Sequence, residues 1–338
     1  MTSSVYIIAE IGPNHNGSID TAIELITKLS HTGANAVKFQ LANPYAVYSS
    51  DSFKADYQKR NDGLSSVIEM SKRLQLSQED HIRLKKHCDF CGITYLCTAF
   101  DLQSLIFLDK QLNIPYFKVA SGEILTIDML EYISEQKKPV FLSTGMSSFE
   151  DIQTSLHILT KHSLSDITLL HCVSSYPAQP EQLNLRVMSE LTSRFQFKIG
   201  YSDHSLGNEA ALLSIALGAS VVEKHVTLDK SHSGPDHKAS LDINEFAQFV
   251  RLIRLSEQML GVSDKMFSSD ELHTRDMARK SIVLKEGVST GDIIELQNIT
   301  FKRPGTGVSP LFRDTIVGKK ALKDIPADHI FSLTNLSN

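Results

Sequence analysis

Residues 197–226 read "FKIGYSDHSLGNEAALLSIALGASVVEKHV", and their reading decides the fold. An apolar β-branched run ends at Asp203 and His204. A segment with helical spacing follows, and a second apolar run ends at His225. Strand, helix and strand in that order form a βαβ unit, which needs a parallel sheet. The same alternation recurs on the N-terminal side. Strands are expected at 5–10 ("VYIIAE"), 36–40 ("AVKFQ"), 93–99 ("ITYLCTA"), 116–121 ("YFKVAS"), 140–145 ("VFLSTG") and 167–172 ("ITLLHC"). With 197–203 and 221–226, these make eight βα units before residue 262. Eight is the count of a (β/α)8 TIM barrel, an α/β fold. An open doubly wound sheet is the alternative. It usually carries a glycine-rich first turn, and "AEIGPNHNG" is not GxGxxG.

Polar residues gather where these strands end: Glu10, Lys38, Gln40, Thr98, Lys118, Ser121, Glu123 and Ser143, then His171, Asp203, His204, Lys224 and His225. A solitary strand-end lysine or histidine is ordinarily a solvated rim residue. Nearly every strand behaving this way, with interiors so apolar, points to a functional face at the C-terminal ends. Lys38, Lys118, Thr98, Ser121, Ser143 and Ser202 offer cations and hydroxyls suited to a phosphate or phosphate-plus-carboxylate anion. His204 and His225 stand one βα unit apart, on adjacent strands. They could hold a divalent metal through imidazole, with Glu10 as carboxylate ligand or as base.

The 338 residues carry a net charge of −5, so no basic field points to nucleic acid. "MTSSVYIIAE" lacks the features of a signal peptide, and no apolar run approaches the roughly 18 residues of a membrane span. A cytoplasmic protein with no membrane partner is expected. Cys88, Cys91, Cys97 and Cys172 include one CxxC, but a structural zinc site needs a second ligand pair, so reduced thiols are expected. Texture changes after the barrel, residues 1–262. Residues 263–279 are polar and read as a linker. Residues 280–338 have short strands and Gly/Pro turns, a β-rich domain of roughly sixty residues that would be marginal alone. Within it, "KRPGTG" (302–307) places Arg303 on a turn, either a surface loop or one that reaches into a pocket.

Nine stretches carry a resemblance: "IIAEIGPNHNG", "VKFQ", "YFKVASGEI", "LSTGMSS", "LLHCVSSYPAQPEQLNLRVM", "IGYSDHSLG", "VVEKHVTLD", "SGPDHKASL" and "KRPGTGVSP". Together they resemble the nonulosonic acid synthases, the sialic acid synthase family, over nearly the whole chain. The resemblance implies a (β/α)8 barrel joined to a C-terminal antifreeze-like (SAF, β-clip) domain. It implies condensation of phosphoenolpyruvate with an N-acetylated mannose-type sugar, with Mn2+ or Mg2+ on His204 and His225. N-acetylmannosamine would give N-acetylneuraminate, and 2,4-diacetamido-2,4,6-trideoxymannose would give N,N'-diacetyllegionaminate. The phosphoenolpyruvate matches are Lys38, Thr98, Lys118, Ser121, Ser143 and Ser202. Ser174 stands where some members carry asparagine near the phosphate. The sugar-side matches are Gln40, Glu123, Tyr176 and Asp236, and Glu10 matches a carboxylate that handles the attacking water. Arg303 matches a residue inserted into the partner subunit's barrel, which implies a domain-swapped homodimer. The polar segment 45–75 is a candidate lid. Two rivals stand beside this reading: a Schiff-base aldolase with Lys118 as nucleophile, and a non-enzymatic ice- or glycan-binding protein.

Overall fold

The computed structural model describes residues 4–55, 58–59 and 66–337. Eight parallel strands close a barrel in sequence order: β1 (Tyr6–Glu10), β2 (Ala36–Leu41), β3 (Thr94–Ala99), β4 (Phe117–Val119), β5 (Val140–Ser143), β6 (Ile167–His171), β7 (Lys198–Asp203) and β8 (Val221–His225). Closure comes from β8 pairing with β1, in a register that sets Glu10 opposite His225. The β1–β2 register sets Glu10 opposite Lys38. Side chains alternate between the two faces of each strand. Val37, Phe39, Tyr95, Leu142, Leu169 and Val222 point outward into the main core beneath the helices. Ile8, Ala36, Leu96, Phe141, Leu170 and Val221 point inward and fill the lower barrel. Gly200 makes room there, since a Cβ on it would lie 2.6 Å from both Leu170 Cδ2 and the Val221 carbonyl.

The helices start where the sequence offers caps. Ser18, Ser77, Asp101, Ser148 and Asp242 each accept a backbone N–H of the first turn, worth about 1 kcal/mol apiece. The helix Ile243–Leu260 buries Phe246, Phe249, Val250 and Ile253, spaced three and four apart, against the barrel core. Full burial of each such phenylalanine is worth about 1.5–3 kcal/mol. All four cysteines are free thiols. No helix among the described residues is long and apolar enough to cross a membrane.

The chain divides into compact units Met1–Gly261 and Val262–Asn338. In the second, Ser269–Ala278 is helical, although its polarity reads as linker. A Ser268 capping box starts it, and none of its residues is buried, so it has no apolar stripe for sequence reading to find. Antiparallel β9 (Ser281–Leu284) and β10 (Ile299–Lys302) follow, over a small core that includes Ile282, Leu284, Ile294, Ile316 and Phe331. The turn after β10 is pinned within the unit: Ser281 Oγ donates to Pro304 O at 2.6 Å and accepts from Gly307 N–H at 2.8 Å. Arg303 lies exposed on that turn.

Candidate functional site

The face parity of each strand sorts the polar strand ends. Glu10, Lys38, Gln40, Thr98, Lys118, Ser143, Ser202 and His225 share the inward parity of the lower apolar plug and line one cavity of about 370 Å3. Ser121, Ser174, Tyr176, His204 and Asp236 line it from the turns beyond the strands. His171, Asp203 and Lys224 do not. They have the opposite parity, so strand-end position alone places them wrongly. His171 bonds the Leu183 carbonyl at 2.7 Å. Lys224 and Asp203 form a wholly buried ion pair at 2.7 Å. Glu123 sits in the 3-10 turn after β4, where it accepts from Thr126 Oγ1 at 2.6 Å and does not line the cavity. Arg303 belongs to the other compact unit. Residues 56–57 and 60–65 of the candidate lid lie outside the described residues. Its described parts contribute Val47, Tyr48, Met70 and Leu74 to the cavity wall.

The cavity floor is a cage of buried charge. Lys38 Nζ lies 2.6 Å from Glu10 Oε2, though without hydrogen-bond alignment, and donates to Thr98 Oγ1 at 3.2 Å. Lys118 donates to Ser143 Oγ at 2.7 Å. Between the lysines stands Glu223, 3.7 Å from Lys38 and 3.9 Å from Lys118, accepting from Ser202 Oγ at 3.0 Å. Burial would lift the Glu223 carboxyl, but Lys118 and then Lys38 outweigh it and hold the carboxyl below its usual range. Glu10 goes the other way. Burial, helped by the Glu223 charge, pushes it up to about 7 against the pull of Lys38. Glu223 is the residue that strand-end reading misses. It lies inside "VVEKHV", two residues before His225 and so on the same face, and that parity was the available signal.

Beside the cage, Gly145 opens a cradle. A Cβ there would lie 2.5 Å from Ser174 Oγ, 2.9 Å from Ser121 Oγ and 3.0 Å from Cys172 Sγ. Three hydroxyl or thiol groups thus pack against a backbone that only glycine allows, and all three line the cavity together with Lys118, a donor set suited to an anion. The "GPNHNG" loop stitches the other side. Asn14 donates to the Val226 carbonyl at 2.9 Å and to Ser240 Oγ at 2.7 Å, fixing the loop that carries Asp236. Burial raises the Asp236 carboxyl to about 7.

The two histidines fit a divalent cation. His204 Nδ1 donates to the Val173 carbonyl at 2.7 Å, so Nε2 carries the lone pair and accepts from the Tyr176 hydroxyl at 3.1 Å. Burial holds His204 down to about 4 and His225 well below its usual value, so both imidazoles are neutral. Their ring centroids lie 5.6 Å apart, and His225 Nδ1 has no hydrogen-bond partner. Among the described residues no three His, Cys, Asp or Glu side chains cluster as a metal site. Glu10 is held by Lys38 and by Gln40, whose Nε2 donates to it at 2.8 Å, so a third-ligand role for Glu10 is not supported. The protein's own share of a coordination sphere would be two imidazoles.

Comparison with known proteins shows the family. Residues 25–265 match the NeuB family, and residues 279–336 match the SAF domain. The chain is 40% identical over 327 residues to the N,N'-diacetyllegionaminic acid synthase of Legionella pneumophila, covering 95% of this chain and 92% of that one. It is 34% identical over 325 residues to the human N-acetylneuraminate-9-phosphate synthase, covering 96% and 90%. The crystal structure of the N-acetylneuraminic acid (sialic acid) synthetase of Leptospira borgpetersenii, in complex with citrate, superposes with a TM-score of 0.73 at 32% identity, over 80% of this chain and 90% of that one. The chain therefore belongs to the NeuB family of nonulosonic acid synthases.

Proposed function

We propose that the protein condenses phosphoenolpyruvate with the open-chain aldehyde of a 2-acetamido mannose-type sugar, giving a nonulosonic acid and inorganic phosphate. The observation that carries this reading is one cavity holding both a two-lysine, hydroxyl-rich anion cage and two neutral imidazoles. Lys38 and Thr98 would hold one end of phosphoenolpyruvate. Lys118, Ser121, Ser143, Ser174 and Ser202 would hold the other. C3 of phosphoenolpyruvate forms the bond to the aldehyde carbon, water adds at C2, and the C2–O bond to phosphate breaks. Glu10, whose raised pKa suits proton transfer near neutrality, would take the proton from water. Mn2+ or Mg2+, when bound to His204 and His225, would polarise the aldehyde oxygen as charge develops there. Gln40, Tyr176 and Asp236 face the same cavity and would hold sugar hydroxyls.

Two sugars fall within this reading. N-acetylmannosamine gives N-acetylneuraminate. The diacetamido-trideoxy sugar gives N,N'-diacetyllegionaminate, and two observations favour it as the second reading. Ala42, Val47, Met70 and Leu74 make part of the cavity wall apolar, suited to a methyl at C6 and an acyl group at C4. Two legionaminic acid synthases are 40% and 39% identical to this chain. Lys38 and Lys118, the cations lining the cavity among the described residues, both belong to its floor. Phosphate release, assayed over both sugars and N-acetylmannosamine 6-phosphate with mass spectrometry of products, tests this. Release with none of them overturns the condensation.

The proposal extends to a domain-swapped homodimer in which Arg303 serves the partner's site. Mixing Arg303→Ala chains with His225→Ala chains should restore about a quarter of parent activity, since half of randomly mixed dimers hold one intact site. No rescue in verified mixed dimers would refute the arrangement in trans.

A further inference from the structure

We propose that the helix Val67–Leu74 is the specificity element of the cavity, and that Met70 and Leu74 form a subsite for a terminal sugar carbon that carries no hydroxyl. The inference rests on the condensation proposed above and names what the site reads in its sugar. Val67, Met70, Ser71 and Leu74 are the buried residues of this helix and share one face, while Glu69, Lys72 and Arg73 are exposed. An amphipathic helix ordinarily packs its apolar face into the core of its domain. This one does not. Among the described residues, Val67, Met70 and Leu74 form a small cluster of their own with Tyr48 and Ile68, apart from the main core beneath the other helices. Met70 and Leu74 line the cavity instead, beside Ala42 and Val47. The polar member of the face, Ser71, bonds the Tyr48 hydroxyl.

The helix is fixed from two sides. Its C-cap residue Gln75 accepts the Ala42 N–H at 2.9 Å, just past β2. Gly17, in the loop after β1, lies so close to the Arg73 carbonyl that a Cβ there would collide with it. In the closed barrel β2 stands opposite β6. The segments after β6 and β7 carry Tyr176 and His204. The apolar wall and the histidine side therefore face each other across the mouth. A sugar held by its aldehyde at the histidines turns its other end toward Met70 and Leu74. A methyl group there gains apolar contact, whereas a hydroxyl gives up water for a surface that cannot bond it.

The test compares N-acetylmannosamine with its 6-deoxy counterpart, two sugars that differ by one oxygen. With phosphoenolpyruvate saturating, the parent protein should favour the 6-deoxy sugar in kcat/KM by about tenfold or more, the scale on which an apolar pocket discriminates against an added hydroxyl. Met70→Gln and Leu74→Asn each place a polar group on the wall without adding charge, and each should bring that ratio down toward unity. Met70→Leu, which keeps the wall apolar, should retain it. A parent that does not favour the 6-deoxy sugar overturns the proposal, and so does a parent ratio left unchanged in both polar variants. If one polar variant fails to fold, the other is read alone, and the parent measurement needs neither. The borohydride-reduced, open-chain alcohols of the two sugars cannot condense, so their binding by calorimetry reads the wall apart from the chemistry. A protein that condenses neither sugar refutes the condensation. In that case tighter binding of the 6-deoxy alcohol still supports the subsite, and equal binding of the two alcohols overturns it.

Discussion

Two buried lysine–carboxylate systems lie back to back across the wall formed by β7 and β8. On the outer face, Lys224 and Asp203 are opposed in register, and both side chains are 0% exposed. Both oxygens of Asp203 are used there. Asp203 Oδ2 takes Lys224, and Oδ1 accepts from the Ser205 N–H at 2.9 Å and Oγ at 2.7 Å. Lys224 also donates to the Ser205 carbonyl at 2.6 Å. On the inner face, one residue earlier, Ser202 is opposed to Glu223. There the contacts of Glu223 with Lys38 and Lys118 stretch to 3.7 and 3.9 Å and its Oε2 has no hydrogen-bond partner, while Glu10 lies against Lys38 at 2.6 Å. The same residue types, equally buried, make a closed pair outside and an open cage inside. A satisfied pair holds structure together. An under-satisfied one costs stability and leaves polar atoms for a ligand to meet.

The contrast can be broken from either side. The largest effect should come from the inner face. His204→Ala or His225→Ala should lower turnover by about a thousandfold or more, equal to losing roughly 4 kcal/mol of transition-state stabilisation, while the urea midpoint holds. Manganese binding by calorimetry should fall in parallel. Near-parent activity in either variant after chelation would remove the metal from the account.

Lys224→Ala attacks the outer face. It leaves Asp203 as an uncompensated buried carboxylate and should cost about 3–5 kcal/mol in urea unfolding. If this variant instead keeps its stability and loses only activity, the division between the two faces fails.

Glu10→Gln returns to the inner face and should lower kcat by about a hundredfold with phosphoenolpyruvate binding kept and stability equal or higher. Loss of binding with unchanged kcat would make Glu10 a positioning group.

The smallest effect is a pH dependence at another closed cluster on the outside of the barrel. Burial alone would raise Asp109, but Lys138 at 2.7 Å, the Tyr132 hydroxyl at 2.7 Å and Lys110 at 2.9 Å outweigh it and hold its pKa below the ordinary 3.8. A depressed acid contributes stability above its unfolded pKa and loses it as pH falls through the folded value. Asp109→Asn should therefore be less stable than the parent at neutral pH, and the two should converge as acid titrates the parent below pH 3.8. Curves that stay parallel into acid would refute the assignment.

Much of the site was legible because barrel strands converge at one end. Apolar runs closing on Lys38, Lys118, His204 and His225 suffice to gather those residues at one face. The same rule swept in His171, Asp203 and Lys224, and it passed over Glu223. The cause is the double burial of parallel strands. In "VVEKHV" both faces are packed, so no polar–apolar alternation marks which residues point inward. Only where the lower barrel had been filled by Ile8, Phe141, Leu170 and Val221 did the inward parity become fixed for the residues above them.

The sequence by itself determined the repeated βα unit, its count, and which chemical groups would meet at the strand ends, because periodicity and strand polarity are local properties. Tertiary structure alone decided which buried lysine is structural and which faces a ligand. That choice depends on strand register and closure of β8 on β1, contacts between residues more than two hundred positions apart. Closure sets Glu10 opposite His225, and the β7–β8 register sets Glu223 opposite Ser202, between two lysines from other strands. No local pattern encodes either arrangement.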